Sequence, residues 1–367
     1  MEGREVQTLF LRFAALPSLL LIWRMPQLPD RPLRILVIQF RHVGDVLLTT
    51  PALKALRDRY PQARIDYLTE PGPSHILRGN PHIDAVILRK RKATLREDWA
   101  LIRTLRRTQY DLVFDFFSNP TSAILARLSG APCRVARSRF GRNFLYSHTP
   151  VVNHQEDVYS PTHKLALLRA MGVPAAICPP ILEIPRESAD RIAQFLQDSA
   201  IAPEARLVTM DTTSRLADKK WEGQRFLQLA DWLTEKHGAR VVFIWGPGEK
   251  EEVEDLITQG RHAHLLAPPT SLMELAALIA KSHLHIGNCS GPRHIAVAVG
   301  TPTLTIMGPT LPANWTYPSP EHQALRGNTQ CPACREQSCT LHHRMEDVRV
   351  EDAKAALESM FERGSIR

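Results

Sequence analysis

The feature that most constrains this chain is an alternation between short apolar runs and stretches with helical periodicity. "LRILVIQF", residues 33 to 40, is apolar apart from Arg34 and Gln39. A strand with one wet face alternates polar and apolar residues, whereas a strand covered on both faces does not. Further strand-like runs fall at 64–69, 84–88, 111–116 and 133–136, with helical patterns at 51–59, 73–79, 96–108 and 120–129. The proline-rich stretch 172–188, with Pro174, Pro179, Pro180 and Pro185, interrupts this order. Strands then resume near 206–210, 240–245, 263–266, 283–287 and 303–306. Helices fall near 187–199, 222–237, 249–259, 271–281 and 291–299, and a last one at 350–362. Strands alternating with helices predict an α/β fold with parallel sheets covered on both faces. Two such halves predict two Rossmann-like domains whose parallel sheets face each other across an interdomain cleft. The 367 residues suffice for both. The divisions expected are 1–32 as an extension and linker, 33–180 as the first domain and 181–367 as the second.

Charge narrows the partner. The formal net charge is +8, which favours an anionic ligand or surface. No interleaving of aromatic and basic residues points to nucleic acid. The 6 cysteines are too sparse for a secreted disulfide scaffold, so a reducing compartment is expected. "TLFLRFAALPSLLLIW", residues 8 to 23, contains Arg12 and Pro17. A membrane span needs about 20 apolar residues, and no signal cleavage site follows. A helix lying in a membrane interface fits, with Arg4, Arg12 and Arg24 available to phosphates; a helix packed on the protein is the alternative.

Open α/β sheets bind ligands beyond the carboxyl ends of their strands. Asp45 lies there, just after the first strand and ahead of a helix opened by Thr50-Pro51. It either caps a short turn or pairs with Arg41, or it faces the cleft as a general base, kept ionised near a helix N-terminus. In the second half, Asn288 to Gly291 form a small-residue loop leading into a helix. Such loops bind phosphate through free N–H groups; Ser290 adds a hydroxyl and His294 a ring. The glycine spacing is not that of a nicotinamide-binding turn. Thr212, Thr213, Ser214, Arg215 and Lys219 follow another strand end and suit a diphosphate. Gly246 and Gly248 permit close backbone approach to a ligand, and Glu249 offers an acceptor for hydroxyls.

These pieces together resemble glycosyltransferase family 9, the ADP-heptose:lipopolysaccharide heptosyltransferases. The matching segments are "VGDVLLTTPALKALRDRYPQARIDYL", "KKWEGQRFLQLADWL", "WGPGEKEEVEDL", "SLMELAALIAKSHLHIGNCSGPRHIAVAVGTPT" and "MGPTLPANW", in the family's order from about residue 34 onward. The resemblance implies a GT-B fold and an inverting, metal-independent transfer of heptose from ADP-heptose, with no cofactor. It implies that Asp45 is the base and Lys219 the diphosphate cation, with Thr212 or Thr213 beside it. Ser290, Gly291 and His294 would lie beneath the diphosphate, and Glu249, Asn288 and Cys289 against the nucleoside and sugar. The acceptor implied is phosphorylated lipid A–Kdo core, met at the cytoplasmic face of the inner membrane. The family's loop usually reads Asn-Asp-Ser-Gly, whereas this chain has Asn288-Cys289-Ser290-Gly291. A thiol cannot replace a carboxylate as acceptor for sugar hydroxyls. Either another acid compensates, the donor is a different nucleotide sugar, or activity is low; a non-catalytic nucleotide-sugar or glycolipid binder is the further alternative.

Two surface features remain. Residues 89–107 are dense in Lys and Arg against Glu97 and Asp98, and Arg134, Arg137, Arg139 and Arg142 follow without an acid among them. Such a surface suits a phosphorylated acceptor, with Arg41, Arg134 and Arg137 as candidate contacts; a solvated helix face is the alternative. "CPACREQSC", residues 331–339, with His342 and His343, holds zinc or serves as structural or redox thiols.

Overall fold

The computed structural model describes residues 28–30, 34–152, 158–308, 310–327 and 345–366. The apolar N-terminal segment and the cluster of Cys331, Cys334, Cys339, His342 and His343 lie outside these residues. The first half contains β1 (Arg34–Ile38), α1 (Val43–Leu47), α2 (Thr50–Arg59), β2 (Arg64–Thr69) and α3 (Pro71–Ser74). It continues with β3 (Ala85–Leu88), α4 (Leu95–Thr108), β4 (Leu112–Asp115), α5 (Pro120–Leu128), β5 (Cys133–Ala136) and α6 (Pro161–Ala170). The second contains α7 (Arg186–Asp198), β6 (Leu207–Asp211), α8 (Gly223–His237), β7 (Arg240–Ile244), α9 (Lys250–Ile257), β8 (Leu265–Leu266) and α10 (Leu272–Ala280). It ends with β9 (Leu284–Asn288), α11 (Gly291–Ala298), β10 (Thr303–Met307), α12 (Pro312–Trp315), β11 (His322–Arg326) and α13 (Val350–Glu362).

The strands form a 5-stranded sheet, ordered β3-β2-β1-β4-β5, and a 6-stranded sheet, ordered β11-β10-β9-β6-β7-β8. All pairings are parallel. Strand order reverses between β1 and β4 in the first sheet and between β6 and β9 in the second. A doubly wound sheet opens its crevice at such a reversal, because neighbouring connections there leave toward opposite faces. The turns after β1, β6 and β9 therefore surround a crevice before any side chain is considered.

Local chemistry explains the main elements. Ile35, Leu36, Val37 and Ile38 of β1 are all fully buried, as a strand covered on both faces requires. Thr94 and Glu97 cap α4 reciprocally, and Ser271 and Glu274 do the same for α10. The sequence pattern does not reveal β11 or α6. β11 is a partly exposed edge strand with no apolar run, recognisable only through its pairing to β10. In α6 the buried residues Leu165, Leu167 and Leu168 do not make a clean helical stripe. The short turn expected ahead of the Thr50-Pro51 helix is α1.

The two halves share a core as well as facing each other. Val46 and Leu47 of α1 and Leu53 of α2 belong to one buried cluster with Met273, Ala276 and Ile279 of α10 and Ile295 and Ala296 of α11. A second cluster fills the other half around Trp221, Phe226 and Phe243, closed by Leu357 and Met360 of α13. Among the described residues no helix is long and apolar enough to cross a membrane.

Trp221 ties the loop after β6 to this second core. Its indole N–H donates to the Val348 carbonyl at 2.8 Å, and its ring meets Phe226 edge-on at 4.8 Å. Trp221→Ala is expected to lose about 3–5 kcal/mol of unfolding free energy in a urea titration. A loss under about 1 kcal/mol would show that the indole does not anchor the loop.

Candidate active site

The turns after the crevice-forming strands enclose a cleft of about 690 Å³. From the first half it is lined by Arg41, Gly44, Asp45, Glu70 and Arg91. From the second come Asp211, Thr213, Arg215, Lys219, Gly246, Glu249, Cys289, Ser290, Gly291, His294 and Trp315.

Asp45 both caps its turn and lines the cleft. Its Oδ2 accepts the His42 backbone N–H at 2.9 Å, capping α1 from within. Among the described residues no hydrogen bond occupies Oδ1, and the residue lines the cleft. Behind it, Lys164 of α6 donates to the Asp45 carbonyl at 2.8 Å and to Thr49 Oγ1 at 2.7 Å. Burial pushes the Lys164 ammonium down to about 8, against the pull of the Asp45 carboxylate. It is therefore mostly cationic at neutral pH and pins the turn that carries the acid.

The second half meets this turn at α11. A Cβ on Gly44 would lie 3.1 Å from His294 Cδ2, tighter than ordinary contact, so the backbone of α1 rests against the imidazole. Burial, followed by the nearby Arg293 and Lys164 cations, holds His294 well below its ordinary pKa. The ring is thus neutral, and its buried Nδ1 has no hydrogen-bond partner among the described residues. Beside it, Cys289 Sγ accepts from Arg293 Nη1 at 3.6 Å. Arg293 is only 2% exposed and forms no ion pair among the described residues.

At the end of β6 lies a carboxylate network. Ser290 Oγ donates to Asp211 Oδ2 at 2.5 Å, and Thr213 Oγ1 donates to Glu249 Oε2 at 2.7 Å. The same Glu249 oxygen accepts the Gly246 N–H at 2.7 Å, folding the carboxylate over its glycine turn. Gly287 is required beside this network. A side chain there would strike Asp211, with Cβ atoms 2.8 Å apart. Lys219 faces the cleft without an ion pair or side-chain hydrogen bond among the described residues, whereas its neighbour Lys220 is committed to Glu252. A cleft-facing ammonium without a carboxylate is available to an anionic ligand.

Most of the residues singled out in the sequence converge on this cleft, but Asn288, Thr212, Gly248, Arg134, Arg137, Arg139 and Arg142 do not line it. Asn288 is buried behind the wall. Its Oδ1 accepts the Trp221 N–H at 2.9 Å and its amide donates to the Thr213 carbonyl at 3.2 Å, holding the two loops together. Thr212 is likewise buried. Arg134 spends its guanidinium on loop carbonyls, including Leu145 at 3.2 Å, and Arg137 lies away on the same segment. Conversely, Lys164, Asp211 and Trp315 are not among the candidates that the sequence marks, and Arg91 is marked only as part of the basic stretch 89–107. Lys164 is remote in sequence from the turn it supports, and Asp211 is legible only as the last residue of a strand. Among the described residues no group of three His, Cys, Asp or Glu side chains is placed to hold a metal ion.

Two doubly wound parallel sheets facing one cleft make up the two-lobed GT-B architecture. The model of glycosyltransferase family 9 (heptosyltransferase) matches residues 98–344. The chain is 31% identical over 283 residues to lipopolysaccharide heptosyltransferase 3 of Escherichia coli, covering 74% of this chain and 82% of that protein. The crystal structure of a family 9 glycosyl transferase from Veillonella parvula superposes with a TM-score of 0.80 at 23% identity, over 90% of this chain and 97% of that one. The structure of the E. coli ADP-heptose lps heptosyltransferase II gives 0.72 at 20% identity, over 90% and 99%. The chain belongs to glycosyltransferase family 9, and is a glycosyltransferase of the heptosyltransferase kind.

Asp211 provides a test of the network. Burial raises its carboxyl from 3.8 to about 6, the Ser290 and Thr213 bonds opposing this and the Glu249 charge adding to it. Below pH 3.8 both folded and unfolded chains hold the proton, so ionisation costs nothing. Between there and about 6 only the unfolded chain releases it, and stability falls as pH rises. Asp211→Asn removes this titration. Relative to wild type, its stability in denaturant titrations is expected to improve by about 3 kcal/mol between pH 4 and pH 7. A difference independent of pH would mean that Asp211 ionises normally.

Proposed function

We propose that this enzyme transfers a heptose from ADP-heptose to the inner core of lipopolysaccharide, with inversion and without a metal ion, at the cytoplasmic face of the inner membrane. The observation that carries the reading is that Asp45, from the first sheet, and the uncommitted Lys219, from the second, line one cleft. The heptosyltransferase names of the relatives favour the sugar and the acceptor.

In this mechanism the free Oδ1 of Asp45 takes the proton of the acceptor hydroxyl. The acceptor oxygen forms a bond to the anomeric carbon as the bond from that carbon to the diphosphate oxygen breaks. ADP departs with the electron pair, and attack from the face opposite the diphosphate inverts the centre. Charge therefore grows on the diphosphate, where Lys219 and the N–H groups at the start of α11 stabilise it. Glu249 is placed to accept from ribose hydroxyls. Lys164 holds the Asp45 turn in register, and the neutral His294 forms the floor between base and leaving group without adding charge of its own.

Asp45→Asn is expected to reduce kcat by about 10²–10⁴-fold while calorimetric donor binding stays within a few-fold of wild type. Lys219→Met is expected to cost about 10²–10³-fold, and EDTA to leave the wild-type rate unchanged. Normal turnover in the Asp45 variant would remove it as the base, and loss of activity in EDTA would end the metal-free mechanism.

A second reading keeps the chemistry and changes the donor sugar, and Cys289 is the residue that favours it. The thiol occupies a wall position beside Arg293, where a carboxylate would both pair with the guanidinium and accept from sugar hydroxyls. Cys289→Asp is expected to shift relative kcat/KM among nucleotide sugars by about 10-fold or more. An unchanged donor profile would mean that this position does not touch the sugar.

A further inference from the structure

The segment following β5 exposes two aromatic rings that the folded chain leaves in water. Phe140 is 104% exposed and Phe144 77%. They do not sit on a loose strand of chain. The Arg139 N–H donates to Asn143 Oδ1 at 2.8 Å, and the Asn143 amide donates to Ser138 Oγ at 2.9 Å, closing a turn. Gly141 adopts φ +77 at its tip, a conformation that strains residues with a Cβ. Tyr146 anchors the base by donating to the buried Asp115 Oδ2 at 2.6 Å, at the carboxyl end of β4. The turn is thus built to hold both phenyl rings outward.

Its charge is one-sided. Arg137, Arg139 and Arg142 flank the rings, and residues 134–148 contain no acid. Arg139 and Arg142 form no ion pair among the described residues. Cations alone would suit a phosphorylated sugar. Phenyl rings stack on the C–H faces of sugars where they line a concave site, but these two project from a turn into water, a placement that suits the interface of an anionic bilayer, which takes rings below and guanidinium groups at its phosphates. The turn also leaves β5 at the carboxyl edge of the first sheet, the edge that carries Asp45.

We infer that the Phe140–Phe144 turn docks this enzyme on an anionic lipid surface, bringing the Asp45 edge of the cleft toward the membrane. The proposal deepens the reading of a glycolipid acceptor and rests on that reading for its purpose, though lipid binding is measurable without it.

The test uses the full-length protein and phosphatidylcholine vesicles with or without phosphatidylglycerol. Wild type is expected to co-sediment with the anionic vesicles. F140S/F144S and R139Q/R142Q are each expected to weaken that binding about 10-fold or more. In F140W, the emission in excess of wild type is expected to shift to the blue with anionic vesicles only. Binding by F140S/F144S equal to wild type, or no shift in the excess emission of F140W, overturns the proposal. On a water-soluble, lipid-free acceptor, F140S/F144S is expected to keep wild-type turnover; a selective loss there would place the turn in sugar recognition and also overturn it. Absence of transfer by wild type in that assay would instead count against the proposed reaction, while the vesicle result stood on its own.

Discussion

The site depends on the approach of α1 to α11, where the Gly44 backbone rests on the His294 ring. No side chain larger than hydrogen fits there without displacing the imidazole. Around this contact, Val46 and Leu47 share a buried cluster with Ile295 and Ala296. Apolar burial thus holds the two helices together, and the absent side chain at Gly44 lets α1 approach the imidazole this closely. Asp45 is the next residue, so the same contact brings the carboxylate to the mouth of the second sheet.

Charge is distributed so that the two sides of the cleft differ in what they have left to offer. On the second side the acids are engaged: Asp211 by Ser290, and Glu249 by Thr213 and the Gly246 N–H. The cation, Lys219, is left open. On the first side, Lys164 is engaged with the backbone of the turn, and one oxygen of Asp45 is left open. An anion placed between these walls meets the lysine, and a hydroxyl placed there meets the carboxylate. Burial of the neutral His294 between them adds no competing charge.

Much of this was legible in the chain. The unbroken apolar runs specified strands covered on both faces, because only such strands lack polar alternation. Of the two glycines marked for close backbone approach, Gly246 lies against the Glu249 carboxylate at the cleft, whereas Gly248 supplies a positive-φ turn. Roles that depend on a distant partner were less visible. Asn288 resembles a ligand contact in its motif, yet both ends of its amide are consumed by Trp221 and Thr213. Arg134 resembles a surface cation, yet its guanidinium is consumed by carbonyls of its own loop. Lys164 resembles any lysine on a short helix, and only its hydrogen bonds to Asp45 and Thr49 distinguish it.

By itself, the sequence determined the two parallel α/β halves, the strand-end turns and the small set of polar residues placed on them. Periodicity and turn chemistry are local properties, written in neighbouring residues. Tertiary structure decided which of those residues face the cleft and which hold its walls, how near Asp45 comes to α11, and that Phe140 and Phe144 remain in water. Those outcomes depend on which surfaces meet. A residue's hydrogen-bonding capacity is spent on whichever partner the packed chain brings within reach, and that partner can lie anywhere in the sequence.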